Sequence, residues 1–244
     1  MSRFQPGVVP SLIVLLLLPL LVLLGFWQLG RGEQKHLLLD SYVTRFAAAP
    51  ITAEALHTLT DAAYRRVVLL GHFDAEHSLL LDNRSRDGQA GVELLQPFLD
   101  HASGLWVLVN RGWLPWPDRR IAPAFDTPSQ PLRLTTWVYV APGATFQLHA
   151  DPLQKGWPRL VTALDPARLW NELGREGFAY ELRAQSGPAT YRTDWAVVAM
   201  APEKHLAYAM QWFAMALALL LLYLYLGWHN AREKNHGHGH ESTR

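Results

Sequence analysis

Two long apolar segments, one near each end of the chain, dominate the hydrophobic pattern. They cover residues 8–29 and 207–228. Each holds roughly 22 residues, which as helix at about 1.5 Å per residue spans about 33 Å, the thickness of a bilayer core. The pattern therefore predicts two transmembrane helices. A cleaved signal peptide is the alternative for the first segment. Its length and the lack of a small-x-small cleavage site after it favour an uncleaved anchor.

Two spans place both ends of the chain on the same side of a membrane. Basic residues flank the spans on both sides, Arg3, Arg232 and Lys234 on one and Arg31 and Lys35 on the other. The positive-inside signal is therefore weak. A short flank before a strong apolar segment normally inserts with the following domain exported. We expect an inner-membrane protein with a periplasmic domain over 30–206 and a cytoplasmic tail over 229–244.

Between the two spans, short apolar runs alternate with turn residues, a pattern typical of a β-rich domain. Runs rich in Val, Leu and aromatic residues, bounded by Gly, Pro, Asp and Asn, predict strands: Arg66–Phe73, Ser78–Asp82, Val92–Leu99, Leu105–Val109, Leu132–Val140 and Trp195–Met200. Asp87-Gly88 and residues 101–104 predict hairpin turns. The predicted fold class is α+β, with two transmembrane helices flanking an antiparallel β-rich extracytoplasmic domain, a sheet or small barrel.

One or two helices accompany the predicted sheet. Residues 33–46 are typical of a short amphipathic helix that continues out of the first span. Asp165–Leu173 predicts a second helix, because Asp165 can cap its start, Pro166 suits the first helical position and Gly174 follows its end.

Composition excludes several classes of function. The net charge is +1 without a clustered basic face, so we expect no nucleic-acid partner. Cysteine is absent, which excludes disulfides, thiolate metal sites and covalent c-type haem. The chain has no P-loop, no nucleophile elbow and no H-E-x-x-H motif, so no enzyme is predicted. The alternate tail residues His236, His238 and His240 predict weak, nonspecific metal binding.

The start of the second apolar segment carries the most suggestive polar residue. Pro202 and Glu203 predict that a helix begins near residue 202. His205, Tyr208 and Trp212 then share one face, at spacings i, i+3 and i+7. An imidazole flanked by aromatic rings can ligate haem iron. An aromatic belt with a polar histidine at headgroup level is the alternative, and residue types alone favour the belt.

The end of the first span lies at the same membrane face. It carries Trp27, Gln28 and, one turn after the tryptophan, Arg31. Arg31 can pair with an acidic group there, such as a haem propionate or a lipid phosphate. An anchoring tryptophan with a snorkelling arginine is the alternative, and it is favoured when these residues are considered alone.

A third motif, Val109–Trp113, predicts a buried strand that runs into a polar turn. Asn110 is expected to hydrogen-bond the turn backbone, Gly112 to relieve a tight backbone conformation, and Pro115 to end the strand. Arg111 can stack on Trp113 or bind an anion. We favour a structural role for this motif.

Taken together, these motifs resemble the surfeit locus family of cytochrome oxidase assembly proteins. The likeness covers nearly the whole chain. It rests on the arrangement of two spans around one domain and on short motifs that occur in the family's order. These motifs are Trp27-Gln28-Leu29 with Arg31, Gly71-His72-Phe73, Val109-Asn110-Arg111-Gly112-Trp113, Lys204-His205-Leu206-Ala207-Tyr208 and Gln211-Trp212-Phe213. Residues 115–131, rich in proline, and the histidine-bearing tail depart from the family pattern.

The resemblance implies a role in assembling haem-copper cytochrome c oxidase by binding or stabilising haem a for its catalytic subunit. It implies that His205 is the haem ligand, with Tyr208 and Trp212 as ring contacts and Trp27, Gln28 and Arg31 as the opposing wall. The implied partners are cytochrome c oxidase subunits, the haem a synthesis machinery and the lipid bilayer. Two rivals stay open: a scaffold that holds an oxidase subunit without haem, and a membrane-anchored hydrolase.

Overall fold

The computed structural model describes residues 4–141, 151 and 156–237, with side chains up to residue 232. The elements in chain order are α1 (Val8–Ala47), β1 (Ile51–Thr52), a 3₁₀ helix (Ala53–His57), β2 (Arg66–Phe73), β3 (Leu79–Arg86), β4 (Gln89–Asp100), β5 (Trp106–Pro115), β6 (Leu132–Tyr139), β7 (Arg159–Val161), α2 (Pro166–Leu173), β8 (Gly177–Ala184) and α3 (Pro202–Gly237). They form two compact units. The segments up to Asp40 and from Val197 form one unit, and Ser41–Ala196 forms the other.

The terminal unit is a pair of long helices. α1 runs for 40 residues, so the predicted amphipathic segment 33–46 is the continuation of the first apolar helix. Val8–Ala47 and Pro202–Arg232 are each long and apolar enough to cross a membrane. Most of their large apolar side chains are exposed. A helix whose apolar side chains face outward all round requires an apolar surrounding or partner.

The two helices of this unit contact each other in antiparallel register. Ser11 near the start of α1 hydrogen-bonds Tyr223 of α3, with 2.9 Å between the hydroxyl oxygens. Further along α1, the ring of Phe26 meets the edge of Phe213, with 5.3 Å between centroids. Small residues also lie in the α3 contact surface, where Ala209 and Ala216 are buried. In an apolar surrounding, helices packed in this way are held together by van der Waals contact and interhelical hydrogen bonds, without a hydrophobic driving force.

The Ser41–Ala196 unit is built on a closed five-stranded barrel. Its strands follow the order β2, β6, β8, β5, β4, and β4 pairs back onto β2 to close the ring. β3 and β7 extend the sheet beyond β4, and β1 extends it beyond β2. The prediction of a β-rich unit with a small barrel is confirmed.

Most strand pairs are antiparallel, as predicted, but three pairs are not. β1–β2, β3–β7 and β5–β8 are parallel pairs. The β5–β8 pair follows from the strand count, because a ring with an odd number of strands cannot alternate direction all the way round. The connection that leads to β8 contains α2, and parallel neighbours need such a long crossover.

The barrel interior is filled by branched aliphatic side chains. Val67, Leu69, Val107, Val138 and Leu182 are fully buried there together with Phe98. α2 covers a second apolar cluster with Leu169 and Trp170. At about 1.5–3 kcal/mol for each fully buried large side chain, this burial is the main stabilising term of the unit.

The predictions of local structure were correct where turn chemistry was explicit. Asp87 and Gly88 have φ values of 49° and 77°, as a two-residue hairpin turn requires. The Asp165 side chain caps α2 by accepting from the Arg168 backbone, and Gly174 ends α2 in the left-handed conformation. Residues 101–104 also form the predicted turn.

One predicted strand is wrong, and one strand of the barrel was missed. Residues 195–200 form no strand. The Trp195 indole instead donates to the Ala184 carbonyl at 2.8 Å, so a side-chain hydrogen bond, and not strand pairing, holds this segment against β8. β8 was missed because Glu181 and Arg183 look like solvent-facing positions. Both are buried, and they pair with each other at 2.8 Å.

The predicted turn at Asn110–Trp113 is part of β5, which continues to Pro115. The strand carries a bulge, because Asn110 and Gly112 pair with adjacent residues Leu95 and Leu94, leaving Arg111 as the extra residue. The Asn110 side-chain oxygen accepts from the Gly112 backbone at 3.1 Å, as expected for a structural motif.

Arg111 is buried by this bulge. Its guanidinium donates to the Ala189 and Asp126 carbonyls and to the Gln96 side chain, and it lies over the Phe73 ring rather than on Trp113. Burial lowers the pKa of this arginine. The side chain ties together segments far apart in the sequence, which agrees with the structural role that we favoured.

Candidate functional site

The site that the sequence singled out lies at the start of α3. Pro202 is the first helical residue and Glu203 occupies the first turn, as predicted. His205 follows in that turn and is only 8% exposed. The fold therefore places a polar imidazole inside the helix pair, where an unpaired polar group is costly.

One nitrogen of the imidazole is paired and the other is not. His205 Nδ1 lies 2.8 Å from Oε1 of Gln28 on α1. Nε2 is buried and has no hydrogen-bond partner among the described residues. Because an amide oxygen only accepts, Nδ1 is the donor of this hydrogen bond, which in the neutral imidazole leaves the lone pair on Nε2. A neutral imidazole with one nitrogen held by a neighbour and the other free has the form of a metal ligand.

Close helix packing holds this arrangement. A Cβ atom at Gly32 of α1 would lie 3.3 Å from the His205 Cβ. Glycine at this position lets the two backbones approach, so that the Gln28 amide reaches the imidazole. A larger side chain at residue 32 would push the histidine away from its partner.

The other predicted site residues surround this pair without joining it. Trp27 is 57% exposed and Tyr208 is 45% exposed, while Trp212 is half-buried. Arg31 is exposed and donates to the Gln34 side chain at 2.9 Å. The structure thus brings together Gln28 and His205, and leaves aromatic rings and a guanidinium accessible to a ligand or lipid.

A groove of about 270 Å³ next to Gly32 was not foreseen. It is lined by Leu29, Gly32, Glu33, His36, Pro202, Glu203 and Leu206. Glu33 and His36 lie one helical turn apart, a spacing that could have signalled a shared face. Glu33 and His36 do not stand out in the sequence, because pairs of exposed polar residues are common on helices.

A comparison of the chain with family models shows which family it belongs to. The model of the SURF1 family matches residues 15–217, which cover most of α1, the whole barrel unit and the first part of α3. The chain belongs to the SURF1 family.

Individual relatives agree with this assignment. The chain is 32% identical over 103 residues to "Cytochrome oxidase assembly protein SHY1" of Saccharomyces cerevisiae, covering 41% of this chain and 26% of that protein. It is 29% identical over 120 residues to "Surfeit locus protein 1" of Xenopus tropicalis, covering 42% of this chain and 39% of that protein. It is 33% identical over 105 residues to "SURF1-like protein" of Rickettsia bellii, covering 42% of each chain. The matched segments span less than half the length of these relatives.

The barrel unit of this SURF1-family chain holds a second polar cluster around Asp74. The Asp74 carboxylate accepts from Arg175 at 2.6 Å and from His77 Nδ1 at 2.7 Å. Ser78 is the neighbouring hydroxyl, but it accepts from the Gln96 side chain instead. Asp74 and His77 therefore form a dyad without a nucleophile among the described contacts, and an ion-pair role fits better than catalysis.

Asp74 makes the stability of the unit sensitive to acid. Burial opposes ionisation of this carboxylate, but the hydrogen bonds from Arg175 and His77 outweigh it and hold its pKa below the usual value. Since the folded pKa is the lower one, the stabilisation is complete above the unfolded pKa, about 3.9. It is lost as the pH falls through the folded pKa.

Arg175→Gln should therefore lower the free energy of unfolding at neutral pH by about 1–3 kcal/mol, because it removes a partner from a buried carboxylate. Arg159→Gln is the matched control. Both guanidinium groups stack on an indole ring, but Arg159 pairs with Glu172, which is 40% exposed against 8% for Asp74. The control should cost less than about 1 kcal/mol. Thermal melts between pH 7 and 3 measure both, and equal losses would contradict the assignment.

Proposed function

We propose that this chain is a membrane-anchored assembly factor for haem-copper cytochrome c oxidase that binds haem a through His205. Family membership and the names of the relatives support the assembly role. The observation that carries haem binding is the free, buried Nε2 of His205. Gln28, the hydrogen-bond partner of Nδ1, favours the tautomer in which Nε2 has the lone pair that a metal needs.

The residues present fit a haem group in type. When bound, haem would supply an iron that takes nitrogen ligands. His205 Nε2 would bind that iron, and Gln28 would orient the ring and raise its basicity through Nδ1. Tyr208, Trp212 and Trp27 would pack the macrocycle, while Arg31 would pair with a propionate.

Enclosure of Nε2 sets a condition on this function. Atoms of the helix pair shield it from solvent, so a ligand reaches it only when the helices part or the imidazole rotates. Loading and release of haem would then be coupled to the packing of α1 against α3. Such coupling suits a protein that holds a cofactor temporarily for its partners, here oxidase subunits and the haem a synthesis machinery.

A spectrum tests the proposal directly. Chain purified from membranes of cells that make haem a should show a Soret band at a stoichiometry near one haem per chain. The rival is a scaffold that holds an oxidase subunit while haem arrives by another route. The observation that favours the scaffold is the buried His205–Gln28 contact, because the same hydrogen bond can serve only to link the two helices. A scaffold would support oxidase assembly yet purify without a Soret band.

The membrane arrangement gives a separate prediction. Two spans place both ends of the chain on one side of the membrane. The short flank before the first span favours export of the barrel unit, so both ends are proposed to lie in the cytoplasm and the barrel unit in the periplasm. Alkaline phosphatase fused after Arg120 should be active, and fused after Glu241 it should be inactive. Reporter activity of the opposite pattern would place the barrel unit in the cytoplasm and remove the basis for the proposed localisation.

A further inference from the structure

Two histidines on the barrel face each other at its surface. Nδ1 of His72 on β2 lies 2.8 Å from Nε2 of His101, in the turn after β4. The ring planes are inclined at 57°, with 5.0 Å between centroids. Both side chains are accessible to solvent, and neither ring has another hydrogen-bond partner among the described contacts.

The backbone under both histidines is firmly held. His72 lies in β2 opposite Leu99 of β4. The His101 N–H donates to the Leu70 carbonyl at 2.8 Å. Asp100, next to it, accepts from the Leu70 backbone with one carboxylate oxygen and from Ser103 with the other. The imidazoles are therefore brought together by rigid elements, which lowers the entropy cost of a shared ligand.

The separation of the nitrogens suits a single metal ion. Imidazole nitrogens bind first-row divalent metals at about 2.0–2.1 Å, and two of them at adjacent coordination positions lie about 2.9–3.4 Å apart. Because the two nitrogens share a hydrogen bond, one of them carries a proton. Metal binding moves that proton to the other nitrogen of the same ring, turns the rings toward the ion and opens the pair by a few tenths of an ångström. Its exposure leaves the remaining coordination positions to water.

We propose that His72 and His101 form a two-histidine site for a divalent transition metal, with Cu²⁺ bound most tightly. Imidazole suits Cu²⁺, Ni²⁺ and Zn²⁺, and affinity for a given nitrogen site rises from Co²⁺ through Ni²⁺ to Cu²⁺ before it falls at Zn²⁺. The site is independent of His205 and of the proposed haem function.

The experiment is a Cu²⁺ titration of the full chain in detergent, with the alternate histidines of the tail removed by His236→Ser, His238→Ser and His240→Ser. In this background we expect one Cu²⁺ with an electron paramagnetic resonance spectrum of two imidazole nitrogens. His72→Gln and His101→Gln should each weaken binding by at least about tenfold, the smallest loss usual even for outer partners of a metal site. Ni²⁺ should bind more weakly than Cu²⁺.

The double variant should lose little more affinity than either single variant, because either change alone already destroys the chelate. His57→Gln is the control, since His57 is exposed on the same unit but far from the pair in sequence. Melting without metal checks that every variant folds. Unchanged Cu²⁺ affinity in either single variant, or an equal loss in His57→Gln, would overturn the proposal.

Discussion

Replacing His205 by alanine should remove most of the haem that copurifies with the wild-type chain. Alanine offers no axial ligand, so only ring packing by the neighbouring aromatics would remain. The variant should still insert and fold, because the lost bond to Gln28 is one neutral hydrogen bond, worth about 0.5–1.5 kcal/mol. Haem content per chain and the Soret band of the purified protein measure the effect, and oxidase activity should fall in parallel.

Three further variants separate ligation from structure. Gln28→Leu keeps Nε2 but frees the ring, so haem should be retained partly and with a shifted spectrum. Arg31→Ala should reduce retention less than His205→Ala, since it removes one charge pair. His229→Ala is the matched control, because His229 is an exposed histidine on the same helix as His205, 24 residues further along, whose ring stacks on Tyr225. Full haem content with an unshifted spectrum in His205→Ala would exclude this ligand and favour the scaffold.

Replacing Gly112 by alanine should destabilise the barrel unit severely. Gly112 has a φ of 119°, outside the range that side chains tolerate, and a Cβ there would lie 2.8 Å from the Arg192 carbonyl oxygen. Strained backbone of this kind costs about 1–3 kcal/mol, before the clash is added. The change would also disturb the pairing of β5 with residues 191–192. We expect a lower melting temperature and reduced accumulation in membranes.

Gly104→Ala is the control for a positive φ without a clash. Gly104 also has a positive φ, 67°, but a Cβ at this turn would have no neighbouring atom within 4 Å. This φ lies in the left-handed region that other residues visit at modest cost. Gly104→Ala should therefore be mild. If the two variants have the same melting temperature, the requirement for glycine at position 112 does not come from its close packing against residues 191–192.

The features that could be predicted from sequence are those with local causes. β2 begins and ends at the predicted residues, and α2 has the predicted caps, because hydrophobic runs and capping residues act over a few positions. The start of α3 at Pro202 was predicted for the same reason. The family resemblance, carried by several short motifs, was confirmed by the family match.

Features that depend on distant residues were missed. Glu181 and Arg183 look solvent-facing until the fold pairs them, and Arg111 looks like a turn residue until a bulge buries it. The partnership of Gln28 with His205 joins residues 177 positions apart. Spacing placed His205 on a face with Tyr208 and Trp212, but only helix packing shows that the imidazole points inward.

The single parallel seam of the barrel governs the order in which the chain can fold. β5 and β6 are complete by Tyr139, yet the strand that must lie between them begins at Gly177. Until β8 arrives, both neighbours present unpaired edges that can recruit other chains. Barrel closure is thus a late, long-range step, and such steps slow folding. A chain emerging from the ribosome would pass through an aggregation-prone interval that ends only with β8.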